Sequence, residues 1–335
     1  MNKTKWIAIL SFFATIFCLF VIGMGAYTRL KDAGLGCPDW PLCYGHLTVP
    51  HVSQLTEVMS QSGGFSATKA WAEMIHRYVA GSLGLMIIAI YVLSWFNCRG
   101  WRSQVLPHVL LLLVFCQAAL GMWTVTLKLL PLVVSLHLLG GMSILAVLCL
   151  LSLSRSQRQW VSGSSQLNRF QPWAWLGLVL LFFQIALGAW TSTNYAAISC
   201  SGFPFCEASS WFPAWNFSQA FHLFSPIGPD YLGGTLGESA RQTIQMTHRL
   251  GAILLASYWA LLILALMVFA SSERIVLRMG FLILALLGFQ FLMGILNVVM
   301  KHPLNLAVMH NLGAACLVLS MVSLNFMIWQ SSRTK

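Results

Sequence analysis

Four histidines in this 335-residue chain are each followed, four positions later, by alanine or glycine: His76 with Ala80, His137 with Gly141, His248 with Ala252 and His310 with Ala314. Positions i and i+4 share a helix face, so each imidazole would point over a patch of helix stripped of bulk. All four sit at the edges of long apolar stretches, where an ionisable side chain is expensive to place and is usually functional. Two imidazoles at equal depth on facing helices could hold the iron of a flat macrocycle from both sides, and that fits better than a structural zinc site, which wants four close ligands. The plainer reading is polar residues on helices that need small neighbours for close packing. It accounts for one such pair more easily than for four.

Glu73 lies three residues before His76 on the same face, and the matching position before His248 is Gln245. A carboxylate beside one pair and an amide beside the other points to a division of labour. The Glu73 site would do chemistry, the carboxylate positioning or deprotonating a nucleophile or stabilising a cation, while the other would transfer electrons. Alternatively, Glu73 caps the start of its helix near the positive end of the dipole. Glu-x-x-His is also a di-iron spacing, but such bundles need several carboxylates, and no other acidic residue falls inside the bundle spans. Arg77 and Arg249 directly follow their histidines, and Arg29 sits at the outer end of the first span. They could pair with haem propionates, or simply snorkel to the membrane surface.

The elements that must position these residues are membrane helices. The chain is 58% hydrophobic and 8% charged, far below the roughly 25% charge of a soluble domain. Eight stretches, roughly 6–27, 72–96, 105–126, 131–153, 173–193, 243–270, 276–299 and 304–329, reach the ~20 residues needed to cross a bilayer. Expected is an all-α polytopic membrane protein in contact with lipid throughout. The net charge of +11 is no nucleic-acid signal, because no basic cluster with interleaved aromatics stands in a soluble module. Lys3, Lys5, Arg99, Arg102, Arg155, Arg158, Arg169, Arg274, Arg278, Arg333 and Lys335 fall on one side, which the positive-inside rule makes cytoplasmic, together with both termini. The first span resembles a signal peptide only in its two leading lysines, since its apolar run is too long and lacks a convincing cleavage site.

The chain is written twice. Gly25-Ala26-Tyr27-Thr28 recurs as Gly188-Ala189-Trp190-Thr191, and Cys37, Pro41 and Cys43 recur at the same offset as Cys200, Pro204 and Cys206. Further along, His76-Arg77 recurs as His248-Arg249, and Gln117, Gly121, Lys128 and His137 as Gln290, Gly294, Lys301 and His310. Repetition in the same order predicts two pseudo-symmetric four-helix bundles related by an axis along the membrane normal: an N-terminal bundle over 1–153, a cytoplasmic linker over 154–172 and a C-terminal bundle over 173–335. Span one thereby gains a mid-chain counterpart and belongs to the mature fold.

The nine cysteines fall into two classes. Cys18, Cys98, Cys116, Cys149 and Cys316 lie in or beside the spans as packing residues. The pairs Cys37–Cys43 and Cys200–Cys206 lie in outer loops, where disulfides are permitted. Each would close a small ring worth about 2 kcal/mol. A redox role for these pairs stays open beside the structural one. The aromatic-rich loop at about 207–241 is expected to be a lid or a docking surface.

Gly25-Ala26-Tyr27-Thr28-Arg29-Leu30, Gly34-Leu35, Cys37-Pro38-Asp39-Trp40-Pro41-Leu42-Cys43 and Glu73-Met74-Ile75-His76-Arg77 resemble the amino-terminal signature of the haem A synthase family. Met246-Thr247-His248-Arg249-Leu250 and Val308-Met309-His310-Asn311-Leu312 are similar to that family's second-half haem motifs. The resemblance covers essentially the whole chain; the full second cysteine pair is a departure, since not every member carries one. It implies an oxidoreductase of the inner (plasma) membrane that converts haem O to haem A by oxidising the C8 methyl to a formyl group, through successive hydroxylations and dehydration of a geminal diol. The substrate haem would sit between His76 and His137 with Glu73 catalytic, and a haem b cofactor between His248 and His310. A haem O synthase upstream, the cytochrome c oxidase assembly pathway downstream and a redox partner of unspecified identity are the implied partners. Two other classes also fit parts of the pattern: a dihaem b-type electron-transfer cytochrome that does no chemistry on its haem, and a membrane thiol oxidase working through the loop cysteines.

Overall fold

The computed structural model describes residues 3–51, 65–98, 100–156, 158–161, 165–207, 210–270 and 273–331. Arg99, Arg333 and Lys335, three of the basic residues used to orient the chain, lie outside them. Eight helices are long and apolar enough to cross a membrane, each carrying an 18-residue window of mean hydropathy 1.8 or more. They are α1 (Lys3–Leu30), α2 (Ala67–Asn97), α3 (Trp101–Thr126), α4 (Pro131–Arg155), α5 (Gln171–Thr193), α6 (Glu238–Phe269), α7 (Arg274–Val299) and α8 (Leu304–Ser331). Single helical turns at Ser165–Asn168 and Phe217–Ala220 complete the helices. Among the described residues there is no β-strand, only the isolated bridges Cys43–His46 and Glu207–Ser210.

The helices outrun the apolar stretches chiefly where α2 and α6 begin. Ser66 caps α2 by accepting the Lys69 N–H, and α6 opens on Glu238, whose carboxylate suits the positive end of the dipole. The cap at Ser66 overturns the capping reading of Glu73, which stands two turns inside α2 with no free N–H of the first turn to satisfy.

Both halves close the same ring of packing: α1 with α2 and α4, α3 with α2 and α4, then α5 with α6 and α8, α7 with α6 and α8. They meet through α1 with α8, α4 with α8, and α4 with α5. Side-chain hydrogen bonds fasten that seam, Ser135 to Thr193 across 3.2 Å, and within the second half Asn325 on α8 donates to the Ala174 carbonyl at 3.0 Å. The short connections after α3 and α7 are built alike. Lys128 and Leu129 in one, Lys301 and His302 in the other, all have positive φ between 49° and 63°, a backbone region that few non-glycine residues adopt.

The long loop expected as a lid or docking surface lies over both halves. Tyr231 is buried against Leu129, Leu130 and Val133, and its N–H donates to the Lys128 carbonyl. Trp190 Nε1 in turn donates to the Ala220 carbonyl at 2.8 Å. Trp211, Phe212, Trp215 and Phe217 remain exposed on this loop.

Candidate functional site

Each half carries one histidine on its second helix and one on its fourth: His76 on α2 with His137 on α4, and His248 on α6 with His310 on α8. In the first half the two ring centroids stand 6.4 Å apart with their planes at 87°. Imidazoles that ligate one metal in line, each through a bond of about 2 Å, hold their centroids about 6 Å apart. The His76–His137 spacing matches that of a pair bridged by a single metal atom, and an edge-to-face ring contact falls in the same range. Buried polar atoms ordinarily have partners, yet Nδ1 of His76, His137 and His310 is buried without one. Among the described residues no three of His, Cys, Asp or Glu come together as a protein-only metal site. A facing pair of imidazoles in each half, three of the four with Nδ1 unpartnered and His248 reaching only Gln184, fits haem ligation better than a core role.

Glycines on neighbouring helices make the close approach to these rings. A Cβ on Gly25 would stand 2.9 Å from His76 Cε1, and one on Gly188 3.0 Å from His248 Cε1. On the other side of each site, a Cβ on Gly121 would come to 3.2 Å of His137 Cε1 and one on Gly294 to 3.5 Å of His310 Cε1. These four glycines are among those repeated at fixed offset in the two halves, so the signal was present in the sequence. What it lacked was the helix pairing that sets them opposite the imidazoles. Replacing Gly25 with Val should push the His76 ring aside and reduce haem bound by the first half at least tenfold, with the second half still loaded. Haem content per purified protein checks this, and full retention of both haems would show that the ring has room.

Glu73 sits beneath the disulfide loop. Its Oε2 accepts the Cys37 N–H at 2.9 Å and its Oε1 takes Arg77, with only 5% of its side chain exposed. Arg77 also donates to the carbonyls of Leu42 and Pro41, at 2.7 and 3.3 Å. The Cys37–Cys43 disulfide is thereby stitched to α2 one turn from His76. The second half repeats the device with an amide: Gln245 Oε1 accepts the Cys200 N–H, its Nε2 donates to the Ala197 carbonyl, and Arg249 donates to the carbonyls of Cys200 and Phe205. The Cys200–Cys206 disulfide is likewise formed. Both arginines fold inward onto loop carbonyls, which sets aside simple snorkelling for them.

Arg29 does something the sequence did not foretell. It crosses from the first half to the second, donating to the Ser192 carbonyl and stacking 4.2 Å over the Tyr195 ring, while pairing with Asp32 at 3.2 Å. Tyr195 donates to the same Asp32 carboxylate at 2.7 Å. These groups line a cavity of about 440 Å³ between the halves, with Glu238, Arg241 and His302. Burial, and then the Arg29 guanidinium, hold the His302 imidazole below its usual pKa, and burial raises that of Tyr195. This cavity is lined by none of the four paired histidines.

A family model described as cytochrome oxidase assembly protein matches residues 8–322. The chain is similar to the heme A synthase of Shewanella oneidensis, 45% identical over 322 residues that make up 95% of each sequence. It is similar at 26% identity to the heme A synthase of Alkalihalophilus pseudofirmus, over 92% of each, and at 23% to that of Bacillus cereus strain AH187, over 93% of this chain and 89% of the relative.

Proposed function

The chain belongs to the cytochrome oxidase assembly protein family, and on that footing we propose that it is a haem A synthase whose N-terminal half oxidises haem O and whose C-terminal half holds haem b. The observation that carries the division is Glu73 against Gln245. Both accept the N–H of the first cysteine in their disulfide loop, but only Glu73 brings a carboxylate, one turn from a histidine pair with one-metal spacing.

In this reading His76 and His137 seat the substrate haem, and the glycines at 25 and 121 keep side-chain bulk off its ligands. Glu73 is fixed by Arg77 and the Cys37 N–H, so it meets the substrate with its geometry already set. Each of the two hydroxylations, methyl to hydroxymethyl and hydroxymethyl to geminal diol, adds a water oxygen and releases two electrons and two protons. The electrons leave to the redox partner, and the Glu73 carboxylate is the acceptor at hand for the protons. The diol then loses water to give the formyl group. His248 and His310 would hold haem b, which supplies one-electron transfer there when bound. Arg29 at the end of α1, and Arg77 and Arg249 about three turns into α2 and α6, are the cations at hand for haem propionates. Residues 1–153 and 173–335 act as the substrate and cofactor bundles, joined by the 154–172 linker. The protein spans the inner (plasma) membrane with both termini cytoplasmic, takes haem O from a haem O synthase, passes haem A to cytochrome c oxidase assembly and gives its electrons to a redox partner.

Identification of the bound haems by mass tests the proposal. Protein purified from cells with a haem O source should carry haem b together with haem O or haem A; without that source it should carry haem b alone. Haem b as the sole pigment under both conditions would leave a dihaem cytochrome instead.

A further inference from the structure

The four histidines are not held alike. Gln117 Nε2 donates to the His137 carbonyl at 2.7 Å, and Gln290 Nε2 to the His310 carbonyl at 2.8 Å. Gln184, on α5, donates to the His248 carbonyl at 2.9 Å and also reaches the ring, with Nε2 2.9 Å from His248 Nδ1. Each glutamine lays its Oε1 over a glycine three residues beyond the histidine it holds: Gly140, Gly313 and Gly251, where a Cβ would overlap that oxygen. Around His76 this device is missing. The repeat puts Val21 where the second half has Gln184, and Val79 where it has Gly251. Both valines pack into the apolar core, and among the described residues no side chain hydrogen-bonds to His76, whose Nδ1 is buried and unpartnered.

The partner of a ligating histidine's second nitrogen fixes ring orientation and tautomer, and losing it typically costs 10–100-fold in metal affinity. A ring that ligates through Nε2 carries its proton on Nδ1. Turned over, the Gln184 amide presents Oε1 to that proton, giving up its bond to the His248 carbonyl. His76 has no such partner, and its ring is placed by packing alone.

Resting on the haem reading above, we infer that Gln184 is a positioning residue that makes the C-terminal haem a permanent fixture, and that Val21 and Val79 leave His76 without a hydrogen-bonded hold so that the N-terminal haem can exchange. A synthase needs this difference, since its substrate must enter and its product leave while the electron-transfer haem stays.

The test uses full-length protein in detergent with an excess of haem-scavenging apoglobin, following each haem by its absorption and identifying it by mass. Wild type should keep haem b and surrender haem O or A. Gln184→Val should lose haem b 10–100-fold faster, with a shifted low-spin resonance signal for the haem b remaining. Gly251→Ala, which keeps the glutamine but drives its amide off the ring, should do the same and decides the matter if Gln184→Val does not fold. The double variant Val21→Gln with Val79→Gly should slow release of the N-terminal haem. Wild-type rates of haem b loss in Gly251→Ala, or unchanged N-terminal release in the double variant, would overturn the inference. Haem b that stays bound after His248→Ala would instead overturn the haem assignment beneath it.

Discussion

Glu73→Gln should abolish conversion of haem O, lowering turnover by about 10²–10⁴-fold, the usual contribution of a positioned acid–base group, while the protein folds and binds haem normally. The second half shows why the fold should survive. Gln245 already performs the structural part of the task, accepting the Cys200 N–H with its amide oxygen beneath an equivalent disulfide. An amide at position 73 can therefore still hold the Cys37 N–H. Arg77 would lose its ion-pair partner, and stranding a buried charge is ordinarily severe. Arg249, however, lives without a carboxylate on loop carbonyls alone, and Arg77 has its own bonds to Leu42 and Pro41. The variant thus removes the charge and proton-accepting capacity and little else. Haem O should accumulate in the membrane, read as the ratio of haem A to haem O by mass, with an unchanged thermal midpoint. Haem A formation within a few-fold of wild type would remove Glu73 from the chemistry and return the site to a plain cytochrome.

Replacing His137 or His310 with Ala should in each case eliminate haem A formation, for reasons the haem content separates. His310→Ala removes one of the two imidazoles that would hold the C-terminal haem, so haem b should be lost and with it the low-spin spectrum expected of a bis-histidine centre. His137→Ala should retain haem b and its spectrum but fail to hold haem O, because His76 alone cannot fix the macrocycle. The 6.4 Å spacing of His76 and His137 makes them a single two-sided site, so loss of either is expected to be as damaging as loss of both. Equal loss of haem b from the two variants would mean that substrate and cofactor sites are not divided between the halves as proposed.

Much of this was legible in the sequence because it is local or repeated. Apolar length gave eight spans, and each of the eight long helices contains its predicted stretch to within a residue or two. The histidines, the loop cysteine pairs and the Glu73–Gln245 difference could be read from fixed offsets alone, and both disulfides are formed in the structure. Where the reading went astray, it relied on neighbours along one helix. The small residues at i+4 drew notice first, but the glycines that touch the imidazoles lie on other helices, at positions 25, 121, 188 and 294. Glu73 looked eligible as a cap until Ser66 placed the helix start two turns earlier.

The sequence by itself determined that this is a duplicated, helical, membrane-embedded chain with two histidine pairs and one unmatched carboxylate. Those properties follow from hydropathy, periodicity and self-similarity, which are carried by residues close in the chain or at a constant offset. Only the tertiary structure decided that Glu73 and Arg77 clamp a disulfide loop, that Arg29 reaches into the opposite half, and that Gln184 grips one imidazole while Val21 and Val79 leave another unheld. Each is a contact between helices, fixed by the rotation and depth at which they pack, and no pattern along a single helix specifies those.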